Sequence, residues 1–479
     1  NEDGFFLLLL APPLEVDESE VVPKDVILVL DQSGSMYGEK WEQALDAVEF
    51  VLSHLNAEDR FNVVVFSTGF RVYANELQGA SEADRAIAWV NGLEALGGTD
   101  INAALDAALG MTDPDRSTVV LFVTDGVPTE GETNVETILD NFEANAPDNV
   151  RLFSFGVGDD VDAFLLDQLS LGNRGTTAYV RPGENIEEEV SALYNKIESP
   201  VLTDVTLEVE GLTVEDIYPA EPLPDLFAGT QMVIVGRYRD SAEDVTIRLS
   251  GEVNGERQTF VYSGNDFPAN AGGGSGTDAE VFIPRLWATR RIGALLNQIR
   301  LQGENPELVD SVVRLSIRYG IITPYTSFLI QEDDIFTQTG RREAEESAAQ
   351  SMGEAFDAST GANAVDAAEA IGGAMGANAP AAMPTAMYMD GVGGGEGVVV
   401  QTRDVIRQVR DKTFVYRDGV WIDTSYEADT MTLTPVEFLS DAYFDLVAQH
   451  SELGDYFALG VQVIAVFDGT AYEIVLPAS

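Results

Sequence analysis

The sequence predicts several folded units, α/β joined to β: a doubly wound, mostly parallel sheet first, a β-sandwich flanking it, a helical hairpin, and a small α+β unit at the far end. Three observations predict this. From Lys24 to about Ile197 unbroken apolar runs alternate with amphipathic helical stretches. After Val201 apolar residues recur at every second position. Beyond Phe336 the composition turns to Ala, Gly, Met and acids before β-rich runs resume. A length of 479 residues accommodates about three domains at about 150 residues each, and a 45% hydrophobic content lets each bury a core.

Residues 1–23 hold the run Phe5 to Pro13, too short for a bilayer and preceded by acids, so neither signal peptide nor anchor is expected. It reads as a buried strand that pairs with the sandwich, the α/β domain being inserted between strands. The opening Asn1 reads as the start of a processed or excised product. Residues 24–200 form the α/β domain. Val26 to Leu30 is an unbroken apolar run, as a strand covered on both faces requires. Trp41, Leu45, Val48, Leu52 and Leu55 step at helical period. Phe61–Phe66, Val119–Val123 and Val150–Val157 supply further buried strands. Helices are expected near Ser81–Leu93, Asn102–Leu109, Val135–Glu143, Ala163–Leu171 and Ile186–Ile197.

Residues 201–283 alternate apolar and polar positions (Val205, Leu207, Val209; Val245, Ile247, Leu249), with Asn254-Gly255 marking a tight hairpin, and read as a β-sandwich. Residues 284–335 read as a helical hairpin and strand, Pro306 opening the second helix. Its Arg285, Arg290, Arg291 and Arg300, the basic concentration of the chain, are expected to pair with surrounding acids. Residues 336–397, with a possible helix at Arg341–Phe356 and Met375, Met383, Met387 and Met389 beyond it, read as a long linker. Residues 398–479 read as a small α+β domain: two hairpins turning at Asp418-Gly419 and Asp468-Gly469, with a helix over Pro435–His450 between them.

Composition bounds the function. Against 81 acids stand 27 bases, a net charge of −54 with Arg far outnumbering Lys. A phosphate backbone needs a basic footprint, so nucleic acid is not an expected partner, and nothing points to membrane insertion. The balance suits high salt or a cation-rich exterior. Zero cysteines exclude thiolate chemistry and Cys-ligated zinc, and two histidines, His54 and His450, support neither a catalytic triad nor an imidazole-held metal. A P-loop is absent as well. Asp159, Asp160 and Asp162 follow a strand and precede a helix, where capping accounts for them. No enzyme activity is expected.

Three motifs sit at strand ends: Asp31-Gln32-Ser33-Gly34-Ser35, Gly97-Gly98-Thr99-Asp100 and Thr124-Asp125-Gly126. In an open α/β sheet the carboxyl edge is where ligands bind. Two carboxylates and three hydroxyls on short side chains are hard oxygen donors that suit Mg²⁺, with Mn²⁺ or Ca²⁺ as alternatives. Each piece alone is also a common cap or turn; their conjunction points to a cation with a coordination position left for a carboxylate from another molecule.

This set resembles the metal-ion-dependent adhesion site of von Willebrand factor type A (VWA) domains, and residues from Lys24 to about Pro200 resemble one such domain throughout. The resemblance implies a six-stranded, mostly parallel sheet wrapped in helices. It implies Ser33, Ser35 and Thr99 as hydroxyl ligands and Asp31 and Asp125 as carboxylates binding directly or through water. Asp3 to Leu10 followed by Pro12-Pro13 is similar to the end of the module that precedes this domain in inter-alpha-trypsin-inhibitor heavy-chain-like proteins. Tyr319 to Leu329 is similar to a segment of prokaryotic members of that group. Most of the preceding module is missing from this sequence, and so is the Asp-Pro-His-Phe segment of some heavy chains, so their glycan-coupling chemistry is not expected. The expected function is extracellular or cell-surface capture of a protein partner's carboxylate at Mg²⁺. The alternative is a subunit of a surface layer, sheath or filament in which the metal site stabilises fold or self-assembly.

Overall fold

The computed structural model describes residues 4–11, 23–197, 200–227, 230–253, 256–268, 278–303, 305–321, 323, 337, 359–379, 406–410 and 412–476. After strand β1 (Gly4–Leu10), the α/β unit comprises β2 (Asp25–Asp31), α1 (Glu39–Ser53), β3 (Arg60–Phe66), β4 (Phe70–Val72), β5 (Gln78–Gly79), α2 (Ala83–Val90), α3 (Ile101–Leu109), β6 (Thr118–Thr124), α4 (Val135–Asn145), β7 (Val150–Val157), α5 (Ala163–Gly172), β8 (Thr177–Val180) and α6 (Ile186–Ile197). Its sheet runs β4-β3-β2-β6-β7-β8. The five strands from β3 to β8 are parallel, while β4 and the two-residue β5 pair antiparallel with β3. The expected six strands are therefore joined by a short seventh.

Every residue of β2, β6 and β7 is buried, which is why these strands read as apolar runs rather than alternations. Successive side chains go to opposite faces. Val26, Leu28 and Leu30 pack with Val48, Leu52 and Tyr194 of α1 and α6; Ile27 and Val29 pack with Leu105, Phe142 and Leu166 of α3, α4 and α5. The centre of the sheet is thus rigid, and its carboxyl ends are a fixed platform.

Six strands follow: β9 (Pro200–Glu210), β10 (Thr213–Tyr218), β11 (Leu226–Phe227), β12 (Met232–Arg239), β13 (Ala242–Val253) and β14 (Glu256–Phe267). They make two sheets, β1-β12-β10 and β11-β9-β13-β14, which share a core of Leu10, Leu202, Leu223, Ile234 and Leu249. Strand β1 pairs antiparallel with β12 from Gly4↔Tyr238 to Leu10↔Met232. It lies at a sheet edge and is only half-buried, with Leu9 52% exposed, because one flank has no neighbouring strand. Strands β13 and β14 close at Val253↔Glu256, the Asn254-Gly255 turn itself lying outside the described residues.

The remainder comprises α7 (Asp278–Gln302), α8 (Pro306–Tyr319), α9 (Ala362–Met375), β15 (Ile406–Val409), β16 (Lys412–Arg417), β17 (Val420–Asp423), β18 (Leu433–Glu437), α10 (Asp441–Gln449), α11 (Ser451–Phe457), β19 (Val463–Phe467) and β20 (Thr470–Val475). Pro306 opens α8, whose Asn305 cap accepts from the Glu307 amide at 2.9 Å. Helix α7 begins before the expected boundary at residue 284 and carries Pro284 internally. It is the hub of the molecule. Leu286, Trp287, Ile292 and Leu296 pack with Val233 and Val235 of β12, Val312 of α8, Ile371 of α9, and Val415 and Val466 of the last sheet.

That last sheet runs β15-β16-β17-β19-β20-β18. The expected helix over Pro435–His450 is divided: Pro435 lies in β18, at the sheet edge where its missing donor is tolerated, and the helix starts only at Asp441. Ser440 caps it, accepting from the Tyr443 amide at 3.2 Å.

The linker reading of 336–397 needs correction as well. Ala362–Met375 is a helix that buries Ala364, Val365, Ala368, Ile371 and Ala374 between the α/β unit and α7. Alanine is the best helix former yet gives little hydropathic contrast, so the sequence pattern concealed it. Gly293 makes room: a β-carbon there would stand 2.8 Å from the Met375 amide nitrogen and 3.0 Å from Ala374 Cβ. The possible helix at Arg341–Phe356 and Met383, Met387 and Met389 lie outside the described residues.

The arginines of α7 divide. Arg300 pairs with Asp167 and Arg291 approaches Asp216 at 3.5 Å. Arg285 reaches the Gly320 carbonyl instead. Arg290, 3% exposed, donates to the main-chain carbonyls of Tyr218, Val233 and Ala377 and to the Asn378 side chain. Burial holds its pKa down, to about 10. One guanidinium thus ties β10, β12 and the end of α9 to α7. Arg290→Ala is expected to destabilise the protein by about 2–4 kcal/mol, since three buried carbonyls lose their donors, and Arg290→Lys should restore only part; urea unfolding measures both.

Candidate metal centre

Strands β2 and β6 are hydrogen-bonded neighbours, so their last residues deliver Asp31 and Thr124-Asp125 side by side. Both carboxylates are buried, Asp31 at 0% and Asp125 at 1% exposure. Asp31 Oδ1 accepts from the Ser33 amide at 2.8 Å and Oδ2 from the Thr124 hydroxyl at 2.6 Å. The hydroxyls of Ser33 and Ser35 lie 2.9 Å apart. Ser35 Oγ donates to Asp125 Oδ1 at 2.7 Å, and Lys40 Nζ, from the first turn of α1, lies 2.6 Å from Asp125 Oδ2. Thr99 is buried, its hydroxyl 3.7 Å from where a β-carbon on Gly126 would stand. The five nominated residues therefore stand together on three adjoining loops at the carboxyl edge of the sheet.

Backbone bonds hold the loops in register. The Gly34 amide donates to the Gly97 carbonyl at 3.1 Å, Leu96 to Gln32 at 2.7 Å and Asp100 to Ser67 at 2.8 Å. Gly97 has φ +107°, and a β-carbon there would press on Thr68 Oγ1 at 2.9 Å, so both conformation and space call for glycine. Asp100, next to Thr99, caps α3 by accepting from the Ala103 amide at 3.2 Å. Asp162 likewise caps α5, accepting from Leu165 at 3.0 Å. Asp159 approaches Arg181, and its carbonyl accepts from the Gly361 amide at the start of α9.

Burial pushes the Asp31 carboxyl up to about 6, against hydrogen bonds from Thr124 and Ser33 that pull it down, and the neighbouring Asp125 adds to the rise. A buried anion of this kind asks for a cation. Among the described residues no three or more His, Cys, Asp or Glu gather as a metal-binding group, so hydroxyls must complete any coordination here. Two carboxylates with Ser33, Ser35 and Thr99 form an all-oxygen donor set that fits a hard divalent ion. Two residues of the pocket escaped the sequence reading. Thr124 adjoins Asp125 in the motif, and only the strand register shows its hydroxyl aimed back at Asp31. Lys40 lies beyond the loop, and its membership follows from the path of α1.

Residues 25–191 match the von Willebrand factor type A domain family. The chain carries a VWA domain. Similarity extends past it: 31% identity over 348 residues to the inter-alpha-trypsin inhibitor heavy chain H4 of Homo sapiens, covering 70% of this chain and 37% of that protein. Heavy chain H2 of Sus scrofa is 28% identical over 349 residues, covering 69% and 37%. The chain thus spans little more than a third of the length of these relatives. A solved von Willebrand factor type A protein from Catenulispora acidiphila matches with a TM-score of 0.47 at 16% identity, over 66% of this chain and 87% of that one. Around the VWA domain the chain resembles the inter-alpha-trypsin inhibitor heavy chains.

Two outcomes follow from the geometry. Protons and a cation compete for Asp31, whose ionised form is disfavoured in the metal-free fold. Thermal stabilisation by Mg²⁺ over chelator should therefore be small below about pH 5 and grow as pH rises through about 6; melting curves across pH measure it. Lys40→Met frees Asp125 Oδ2 and should tighten Mg²⁺ binding several-fold by calorimetry.

Proposed function

We propose that this chain is a non-enzymatic, extracellular or cell-surface binding protein. Its VWA domain holds Mg²⁺ through Ser33, Ser35 and Thr99, with Asp31 and Asp125 as direct or water-mediated carboxylate ligands. A carboxylate of a protein partner completes the shell. The observation that carries this reading is the fully buried Asp31 beside Asp125, with the Thr124 hydroxyl bonded to the first and the Ser35 hydroxyl, itself against that of Ser33, bonded to the second. Two carboxylates and three hydroxyls supply five donors, so an octahedral ion keeps a position that an outside carboxylate can take. The match to the VWA family and the likeness to the heavy chains support a role in protein interaction. The acid-rich composition supports a cation-rich exterior, and among the described residues no helix is long and apolar enough to cross a membrane.

A second reading, self-assembly in a surface layer, sheath or filament, draws on β14. This twelve-residue strand ends its sheet and is exposed along most of its length, including Phe260, Val261 and Tyr262, and such an edge can pair with another chain.

Asp31→Ala, Asp125→Ala and EDTA should each abolish capture of a carboxylate-bearing partner while the circular dichroism spectrum persists. Capture that survives all three would exclude the metal contact. Light scattering with and without chelator separates the second reading, which alone expects the protein's own oligomer to dissociate.

A further inference from the structure

Between residues 25 and 191, four large apolar side chains are exposed among those described: Tyr37 at 81%, Leu96 at 76%, Phe70 at 48% and Leu171 at 44%. Leu171 lies near the end of α5, remote in the fold from the carboxyl edge. The other three lie beside the candidate metal centre, two on its first and second loops and one on the β3–β4 turn bonded to the second. Tyr37 follows Ser33 and Ser35 in the first. Leu96 precedes Gly97-Gly98-Thr99, its amide bonded to the Gln32 carbonyl. Phe70 closes the β3–β4 turn, whose Ser67 carbonyl accepts from Asp100. Exposed apolar residues are ordinary when scattered, whereas three of four gathered at one site mark a contact surface.

Charge narrows the occupant. Arg71, also exposed, reaches across to Gln32 Oε1 at 2.7 Å, which places one cationic side chain on the rim besides Lys40, already paired with Asp125. The same loops carry Glu94 and Glu130, both exposed, within a chain of net charge −54. A second acid on the partner would meet repulsion.

Resting on the metal–carboxylate reading above, we propose that Tyr37, Phe70 and Leu96 form an apolar collar that selects a protein segment presenting a single carboxylate flanked by apolar side chains. The ion takes the carboxylate; the collar takes its neighbours. Long-range electrostatics disfavour an acidic partner, so burial of the flanks supplies the selectivity.

The test uses the full chain and fluorescent peptides with a terminal Lys pair, carrying one Glu between Leu residues, one Glu between Gly residues, one Glu between Asp residues, or Gln between Leu residues. In Mg²⁺ the Leu-flanked Glu peptide should bind at least about tenfold tighter than the Gly-flanked one, and the Asp-flanked one weakest. The combined Tyr37→Ser, Phe70→Ser and Leu96→Ser protein should lose that preference while its thermal stabilisation by Mg²⁺ is unchanged. Equal, metal-dependent binding of Leu- and Gly-flanked Glu peptides overturns the collar and leaves the metal contact standing, as does a preference that survives the triple substitution. Binding of the Gln peptide as tightly as its Glu counterpart, or binding indifferent to EDTA, overturns the metal contact and the collar with it. Absence of binding by every peptide at millimolar concentration does the same.

Discussion

A carboxylate without solvent exposure, set at the end of the strand in the middle of a parallel sheet, is the constraint around which this molecule is organised. Asp31 can stay there because Thr124 and the Ser33 amide each give it a hydrogen bond. Those bonds only partly offset the loss of water, and the carboxyl rises to about 6. A fold that needed stability alone would have placed Asn or Thr in this position. Retaining an acid, with a second acid beside it, makes sense where an ion from outside supplies the missing charge.

The rest of the architecture keeps that arrangement from relaxing. Apolar layers on both faces fix the register of β2 against β6, and a slip by one residue would turn Asp31 into a helix layer. Loop-to-loop backbone bonds hold the hydroxyls against the carboxylates. Outside the α/β unit, α7 gathers the flanking sheet, α8, α9 and the last sheet into a core of its own. Helix α9 is the link between them, its small side chains shared between two cores.

Legibility in the sequence followed contrast. Val26–Leu30, Phe61–Phe66 and Val119–Val123 are apolar runs bounded by polar loops, and their strands, together with the three motifs at their ends, could be read directly. Elements whose burial uses small or polar groups could not. Helix α9 buries alanines, which look alike in linkers and helices. Pro435 read as a helix opener because nothing local reveals that its strand lies at an edge. Arg290 sits among carbonyls that are neighbours only in three dimensions. The pocket shows the same split: its five nominated residues stand in short motifs, whereas Lys40 joins Asp125 only through the path of α1.

The pairing of β1 with β12 carries a consequence for how the chain reaches this state. The two strands are separated in sequence by the whole VWA domain, so their union closes a very long loop, and loop closure costs entropy before any contact compensates it. Contacts within the domain span shorter separations and form sooner. Loop-closure entropy therefore favours an order in which the domain condenses first and draws its two ends together before β1 pairs with β12. Until then the apolar face of β1 is uncovered, a window in which a chaperone or a neighbouring molecule has access to it.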